Sequence, residues 1–161
     1  MGTHPREALL KQLQDTMNET VPYFVQSESV QQKSYAPGKW TMRELLAHLS
    51  DTETVYLDRL RRLAAERKPV LQAFDQDLWA AALLYKTRDL HLAKDQYKAA
   101  RRGIMELARE LDAALDTKTG QHTEAGAKTF AQVLQTVVSH NAHHLEQLRA
   151  VVAGKEWKKE A

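Results

Sequence analysis

From Phe130 to Ala153 apolar residues recur every three or four positions, and no other stretch narrows the possible folds as much. Turned at about 100° per residue, Phe130, Val133, Leu134, Val137, Leu145, Leu148, Val151 and Val152 gather on one side of a helix. A helix carrying such a stripe must lay it against other elements to be stable in water. His144 and Asn141 stand within the stripe, and His140 sits at its edge. His143 falls outside it, among Gln132, Thr136 and Ser139, and reads as solvated. Residues four apart on a helix are neighbours, with Cβ atoms roughly 5–6 Å apart. His140 and His144 can therefore point at one place, which suits two imidazoles gripping a metal ion. Buried polar groups cost free energy unless each finds a partner. A metal ion would partner the pair; core histidines satisfied by hydrogen bonds are the plainer alternative.

The rest of the chain also favours helices. Its 161 residues fit one domain, 1–161, and include only six Gly and four Pro, few for a fold of many short strands. Cysteine is absent, so disulfides, thiolate ligands and a Cys nucleophile are excluded. Any metal must then be held by His, Asp or Glu. A net charge of +2 is too small to point to nucleic acid. No apolar run approaches the roughly 18 residues of a membrane span. Met1 to Glu7 lacks the apolar core of a signal peptide. The expectation is a cytoplasmic protein with no nucleic-acid or membrane partner.

Leu9, Leu10, Leu13 and Met17 predict a first helix from about Arg6, which Val21, Tyr23, Phe24 and Val25 extend towards residue 30. Pro22 either kinks it or opens a second helix. Ser34 to Gly38 reads as a loop. Thr41 and Glu44 form a capping box that starts a second helix, to about Leu63. Its stripe of Leu45, Leu49, Thr52, Val55, Tyr56 and Leu60 also contains His48 and Arg59, so three histidines face the core. Trp40, just before the cap, is either a hydrophobic staple onto Leu45 or a wall of a site.

Ala65 to Leu71 reads as a charged connector, and Phe74 to Leu84 as a short helix capped by Asp75 or Asp77. Leu90, Leu92 or Ala93, Tyr97, Ala100, Ile104, Leu107, Leu111 and Leu115 mark a third long helix over 89–115, with His91 on its surface. Thr117 to Lys128 reads as a loop around Gly120 and Gly126. Thr129 and Gln132 form another capping box, and Gly154 ends the last helix. Lys155 to Ala161 reads as a frayed basic tail, and no segment reads as a strand. The architecture expected is an all-α four-helix bundle, with sites built between facing helices.

Three motifs now stand in order: Pro37-Gly38-Lys39-Trp40-Thr41 leading into His48-Leu49-Ser50-Asp51, then Phe74-Asp75, then His140-Asn141-Ala142-His143-His144-Leu145-Glu146-Gln147. Together they resemble the DinB/YfiT superfamily, its DinB-like branch in particular, over nearly the whole chain. The resemblance implies an up-down-down-up four-helix bundle, often dimeric. It also implies a divalent metal, zinc or nickel, held by three histidines that correspond here to His48, His140 and His144. Some members of the family are transferases that conjugate bacillithiol, mycothiol or glutathione to electrophiles. Others carry only the description of metal-dependent hydrolase. The damage induction in the family's name is no evidence of DNA binding.

Three protein ligands on zinc leave one position open, as in catalytic sites. Water bound there becomes a nucleophile near neutral pH, and a thiol bound there is deprotonated. With no Cys in the chain, a transferred thiolate has to arrive with a small-molecule cofactor. The expected function is a metal-dependent thiol transferase acting on a small-molecule electrophile. A metal-dependent hydrolase using bound hydroxide and a non-catalytic, stress-related metal-binding dimer are the alternatives. Asp51, one turn after His48, is a candidate hydrogen-bond acceptor or fourth ligand, or else an exposed carboxylate. Asn141 and Gln147 are candidates to hold the imidazoles. Arg59 could meet an anionic group in the pocket, or lie along the surface. A homodimer is expected from the resemblance and from the apolar run Trp79 to Leu84. Metal affinity is expected to fall below about pH 6.5, the ordinary histidine pKa.

Overall fold

The computed structural model describes residues 6–158. Helix α1 spans Glu7–Thr20 and stops well short of the expected residue 30. Val21–Val25, with Pro22 at its start, tightens into a 3₁₀ turn, and Gln26 is extended at ψ 160°. Proline is tolerated in a first turn but cannot donate within a helix, so the apolar run continues while the α-helix does not. The short α2, Glu28–Gln31, follows.

Helix α3, Met42–Ala65, opens on the predicted capping box: the Thr41 amide donates to Glu44 Oε2 at 2.8 Å and the Glu44 amide to Thr41 Oγ1 at 3.3 Å. Helix α4, Gln76–Ala82, starts where Asp75 Oδ1 accepts from the amides of Asp77 and Leu78. Helix α5, Leu90–Glu110, ends earlier than the periodicity predicts, because Leu111 turns extended at ψ 145°. Asp112 then captures the Ala114 amide and starts a 3₁₀ turn, Ala113–Thr117, a local bond that competes with helix continuation. Helix α6, Phe130–Ala153, lies between its Thr129–Gln132 capping box and Gly154, which takes the left-handed φ of 64°.

The long helices α1, α3, α5 and α6 form a four-helix bundle. Helix α3 packs on α5 and α6, and α1 packs on the same two from the opposite side. Side-chain contacts give the directions. The Arg6 guanidinium lies over the Phe130 ring and Asn141 reaches Thr20, so α1 and α6 run parallel. Arg6 also reaches the Ala108 carbonyl while Arg101 reaches that of Leu13, so α1 and α5 are antiparallel. Gln96 meets Asp51, and Gly103 lies against Leu57, so α3 and α5 are parallel. The order is therefore up-down-down-up. Leu13, Leu60, Ile104, Phe130 and Leu134 are fully buried at one end. Met42, Leu46, Leu49, Tyr97 and Leu148 fill the other. Burial of each large apolar side chain contributes about 1.5–3 kcal/mol.

Three further features depart from the sequence reading. A small sheet exists where a connector and a loop were expected: β1, Val70–Leu71, pairs parallel with β2, Thr119–His122, which pairs antiparallel with β3, Gly126–Thr129. Gly120 lets β2 sit close, since a Cβ there would meet the Pro69 carbonyl at 3.1 Å and Leu63 at 3.0 Å. Second, Val152 and Leu92, counted in apolar stripes, are exposed. Third, the tail through residue 158 is docked rather than frayed: the Trp157 amide donates to the Tyr35 carbonyl at 2.9 Å. Residues 159–161 lie outside the described part. His91 is exposed, as expected. Helix α4 has no buried residue and presents Leu78 to solvent, as do Leu83 and Leu84 after it. Among the described residues, no helix is long and apolar enough to cross a membrane.

Candidate metal centre

His48 comes from the second turn of α3, and His140 and His144 from successive turns of α6. The antiparallel packing of α3 on α6 brings the three together. Nε2 of His140 lies 3.1 Å from Nε2 of His48 and 3.2 Å from Nε2 of His144. Ring centroids stand 4.5 to 5.1 Å apart, and the three possible ligand nitrogens all fall within 4.8 Å of one another. No other such group occurs among the described residues.

This spacing can be tested against an ion. Two nitrogens bound tetrahedrally to zinc at 2.0–2.1 Å stand about 3.3 Å apart. The observed 3.1 and 3.2 Å approach that value. Hydrogen bonds alone cannot satisfy the same arrangement fully. A neutral imidazole has one donor and one acceptor nitrogen. His144 Nδ1 donates to Gln147 Oε1 at 2.7 Å, which places its lone pair on Nε2. His140 Nε2 faces both neighbours yet can offer only one proton or one lone pair. Nδ1 of His48 and of His140 is buried without a protein partner. The crowding at His140 Nε2 fits a divalent ion held at Nε2 of all three rings, which would leave the two Nδ1 groups without a protein partner as they are.

Electrostatics favours the same state. Burial, then the neighbouring His144, pushes the His48 pKa down to about 3. His144 is pushed down to about 4, mainly by burial, against a raising contribution from the Gln147 hydrogen bond. His140 lies well below the ordinary value, through burial first and then the neighbouring histidines. All three imidazoles are thus neutral at physiological pH, the form that ligates metal. Proton competition consequently begins at a lower pH than the expected value of about 6.5.

His140 and His144 line a pocket of about 510 Å³, together with Tyr35, Lys39, Trp40, Gln76, Asp77 and His143. Trp40 stands 5.0 Å from the His48 ring and 6.4 Å from the Tyr85 ring, so it is a wall of the site. His143 is half-buried rather than solvated, its ring edge-on to Trp157 at 5.0 Å, and it is not one of the converging three. Tyr35, Lys39 and Gln76 gave no periodic signal, because they lie in loops or at a helix start and reach the pocket only through tertiary packing.

Two expected partners are engaged elsewhere. Asp51 accepts from Tyr85 at 2.8 Å, Arg88 at 2.9 Å and Gln96 at 3.1 Å, so its carboxylate is committed to α5 and the segment before it. Asn141 accepts from Tyr97 and Arg101, both at 2.6 Å, and donates to Thr20. Neither makes a hydrogen bond to an imidazole. Arg59 does not line the pocket either: it donates to the Gln72 carbonyl and its guanidinium lies 5.7 Å from the Tyr56 ring. Gln147 is the expected residue that does hold a ring.

The chain is similar to several known proteins. A protein of Oceanobacillus iheyensis named "putative metal-dependent hydrolase" is 26% identical over 124 residues, 77% of this chain and 72% of its own length. YfiT of Bacillus subtilis, which bears the same description, is 25% identical over 174 residues, covering 95% of this chain and 92% of its own. The solved structure of YfiT, described as a probable metal-dependent hydrolase with an unusual four-helix bundle topology, matches with a TM-score of 0.87 at 19% identity. That match covers 98% of this chain and 91% of YfiT and shows the shared fold. The model of the DinB superfamily matches residues 7–148, so the chain belongs to the DinB superfamily.

Proposed function

We propose that the protein binds a divalent ion, zinc or nickel, through Nε2 of His48, His140 and His144, and conjugates a low-molecular-weight thiol to an electrophile in the pocket above them. The convergence of three neutral imidazoles, two of which line that pocket, carries this reading. When bound, the ion supplies a Lewis acid with a position open to the pocket, able to deprotonate a thiol. The chain's own residues do the rest. Burial keeps the imidazole lone pairs free of protons. Gln147 holds the Nδ1 proton of His144 and so fixes its tautomer. Trp40 covers His48 and offers an aromatic face to an apolar electrophile. Lys39 and Asp77 give the pocket opposite charges, which suits a thiol that carries both an amine and a carboxylate. With no Cys in the chain, the thiol must be supplied by such a molecule.

Hydrolysis is the second reading. It is favoured by the position of His143, which lines the pocket outside the converging three and can take a proton from a water attacking substrate. A homodimer covering the exposed leucines of and after α4 belongs to the same proposal and is checked by light scattering. The reaction is tested by following glutathione consumption with 1-chloro-2,4-dinitrobenzene, and p-nitrophenyl acetate hydrolysis, in zinc- or nickel-loaded and stripped protein. Metal-dependent thiol loss that disappears in His140→Ala supports the transferase. Metal-dependent ester cleavage without thiol supports the hydrolase. Neither activity in a metal-loaded protein would leave a non-catalytic metal-binding bundle.

A further inference from the structure

The segment after α6 lies beyond the family match, which ends at residue 148, and yet it touches residues that line the pocket. At Gly154 the chain turns back, with the Lys155 amide donating to the Ala150 carbonyl at 3.0 Å. Trp157 then lies across α6. Its amide donates to the Tyr35 carbonyl at 2.9 Å, and its indole Nε1 donates to Glu146 Oε2 at 3.4 Å. Its ring meets two other rings edge-on: Tyr35 at 5.8 Å and 83°, and His143 at 5.0 Å and 89°. Tyr35 and His143 both line the pocket.

The two ends of the pocket wall are anchored differently. At one end half-buried Trp40 stands against the His48 and Tyr85 rings. At the other end, Tyr35 belongs to the loop from Lys33 to Trp40, and its carbonyl is tied to the rest of the chain by the Trp157 amide. His143 is held on one side by Gln147, 3.3 Å away, and on the other by the Trp157 ring. One indole therefore contacts two pocket-lining side chains that come from different elements, the 33–40 loop and α6. The same contacts run inward, from Trp157 to His143, to Gln147 and to the ligand candidate His144.

Resting on the reading of this pocket as the substrate site, we infer that Trp157 is a positioning residue that sets the pocket's outer wall. It acts through Tyr35 and His143, and it determines which thiols fit without holding the ion. Edge-on ring contacts constrain orientation as well as distance, so another flat ring should preserve the wall and a methyl group should not.

The test uses the full chain with Trp157→Ala and Trp157→Phe. Carbethoxylation of His143 by diethyl pyrocarbonate, mapped by mass spectrometry on metal-free protein, reads the wall directly, with exposed His91 as the internal reference. Trp157→Ala should speed labelling of His143 relative to His91 by about tenfold, the effect of losing a protective contact. Trp157→Phe should label close to the wild-type rate. In the glutathione assay, Trp157→Ala should raise KM for glutathione by roughly five- to tenfold with kcat nearly constant, a loss of binding rather than of chemistry. Zinc affinity should stay at the wild-type value. His143 labelling at the wild-type rate in Trp157→Ala overturns the inference, as does an unchanged KM. If wild-type protein shows no turnover, the proposed reaction fails, while the labelling alone upholds or overturns the role of Trp157.

Discussion

Two polar clusters lie side by side within the bundle, and consecutive residues of α6 belong to them: His140 to one and Asn141 to the other. Around Asn141 every group is matched. Arg101 Nε donates to Glu53 Oε2 at 2.8 Å, and its other nitrogens reach Glu53 Oε1, the Leu13 carbonyl, Thr16 and Asn141. Tyr97 and Thr20 close the set. Burial alone would disfavour the Arg101 charge, and the Glu53 carboxylate more than offsets it, so its pKa is raised. Around His140 the opposite holds: three Nε2 atoms crowd together, with His140 Nε2 facing both of the others, and two Nδ1 atoms lack protein partners. A satisfied buried network rigidifies a core, whereas an unsatisfied one is costly. The first cluster needs nothing added; in the second, an ion would resolve the crowding of the three Nε2 atoms.

Acid should break the contrast most strongly. The folded pKa of each of the three imidazoles lies below the unfolded value of about 6.5. The unfolded chain therefore binds more protons in acid, and stability must fall as pH drops below that value. The loss continues to about pH 4 for His144 and about pH 3 for His48. Each imidazole contributes about 1.4 kcal/mol per pH unit in its window. Urea unfolding of the metal-free protein between neutral pH and the onset of acid unfolding checks this. Replacing His48 by Leu should shallow the slope by one proton.

Next in size is the matched cluster. Arg101→Met leaves Glu53 buried without its cation and should cost about 3–5 kcal/mol in urea unfolding at neutral pH. By contrast His140→Ala should change the stability of metal-free protein little, because it removes a buried group that was already short of partners. The same substitution, and likewise His144→Ala, should lower zinc affinity by more than about a hundredfold, beyond the loss expected for an outer partner. Calorimetric titration measures it. Smaller still, Gln147→Leu should weaken zinc about 10–100-fold by releasing the His144 tautomer. His143→Ala should shift affinity by less than about threefold, since it removes no ligand nitrogen.

The same two clusters show what the sequence reveals and what it hides. The convergence of the three histidines was partly legible because helix period places His48 and His144 on apolar stripes and His140 at the edge of one. Glu53 and Arg101 carry no such mark: charges on a helix ordinarily read as solvent-facing, and only their mutual pairing across α3 and α5 permits burial. Asn141 was visible as a polar residue in the stripe, but its partner could not be chosen, so it was assigned to the wrong cluster. In the fold, capping boxes at Thr41 and Thr129 fixed two helix starts. The 3₁₀ turns after Thr20 and Leu111 were missed because apolar spacing outlasts the α-helix there. Strands β2 and β3 are Thr-Gly-Gln-His and Gly-Ala-Lys-Thr, too polar and too short to show a two-residue period. The docking of Trp157 depends on Tyr35, far away in sequence, and no local pattern could announce it.

The central claim is that the incomplete cluster is a three-histidine metal site, and X-ray absorption on zinc-loaded protein tests it most directly. The wild-type spectrum should show imidazole nitrogens at about 2.0–2.1 Å, in a first shell with room for one non-protein ligand. His48→Ala should lose one imidazole from that shell, and His143→Ala should leave it unchanged. A shell that is identical in wild type and His48→Ala, or one dominated by carboxylate oxygens, would contradict the assignment.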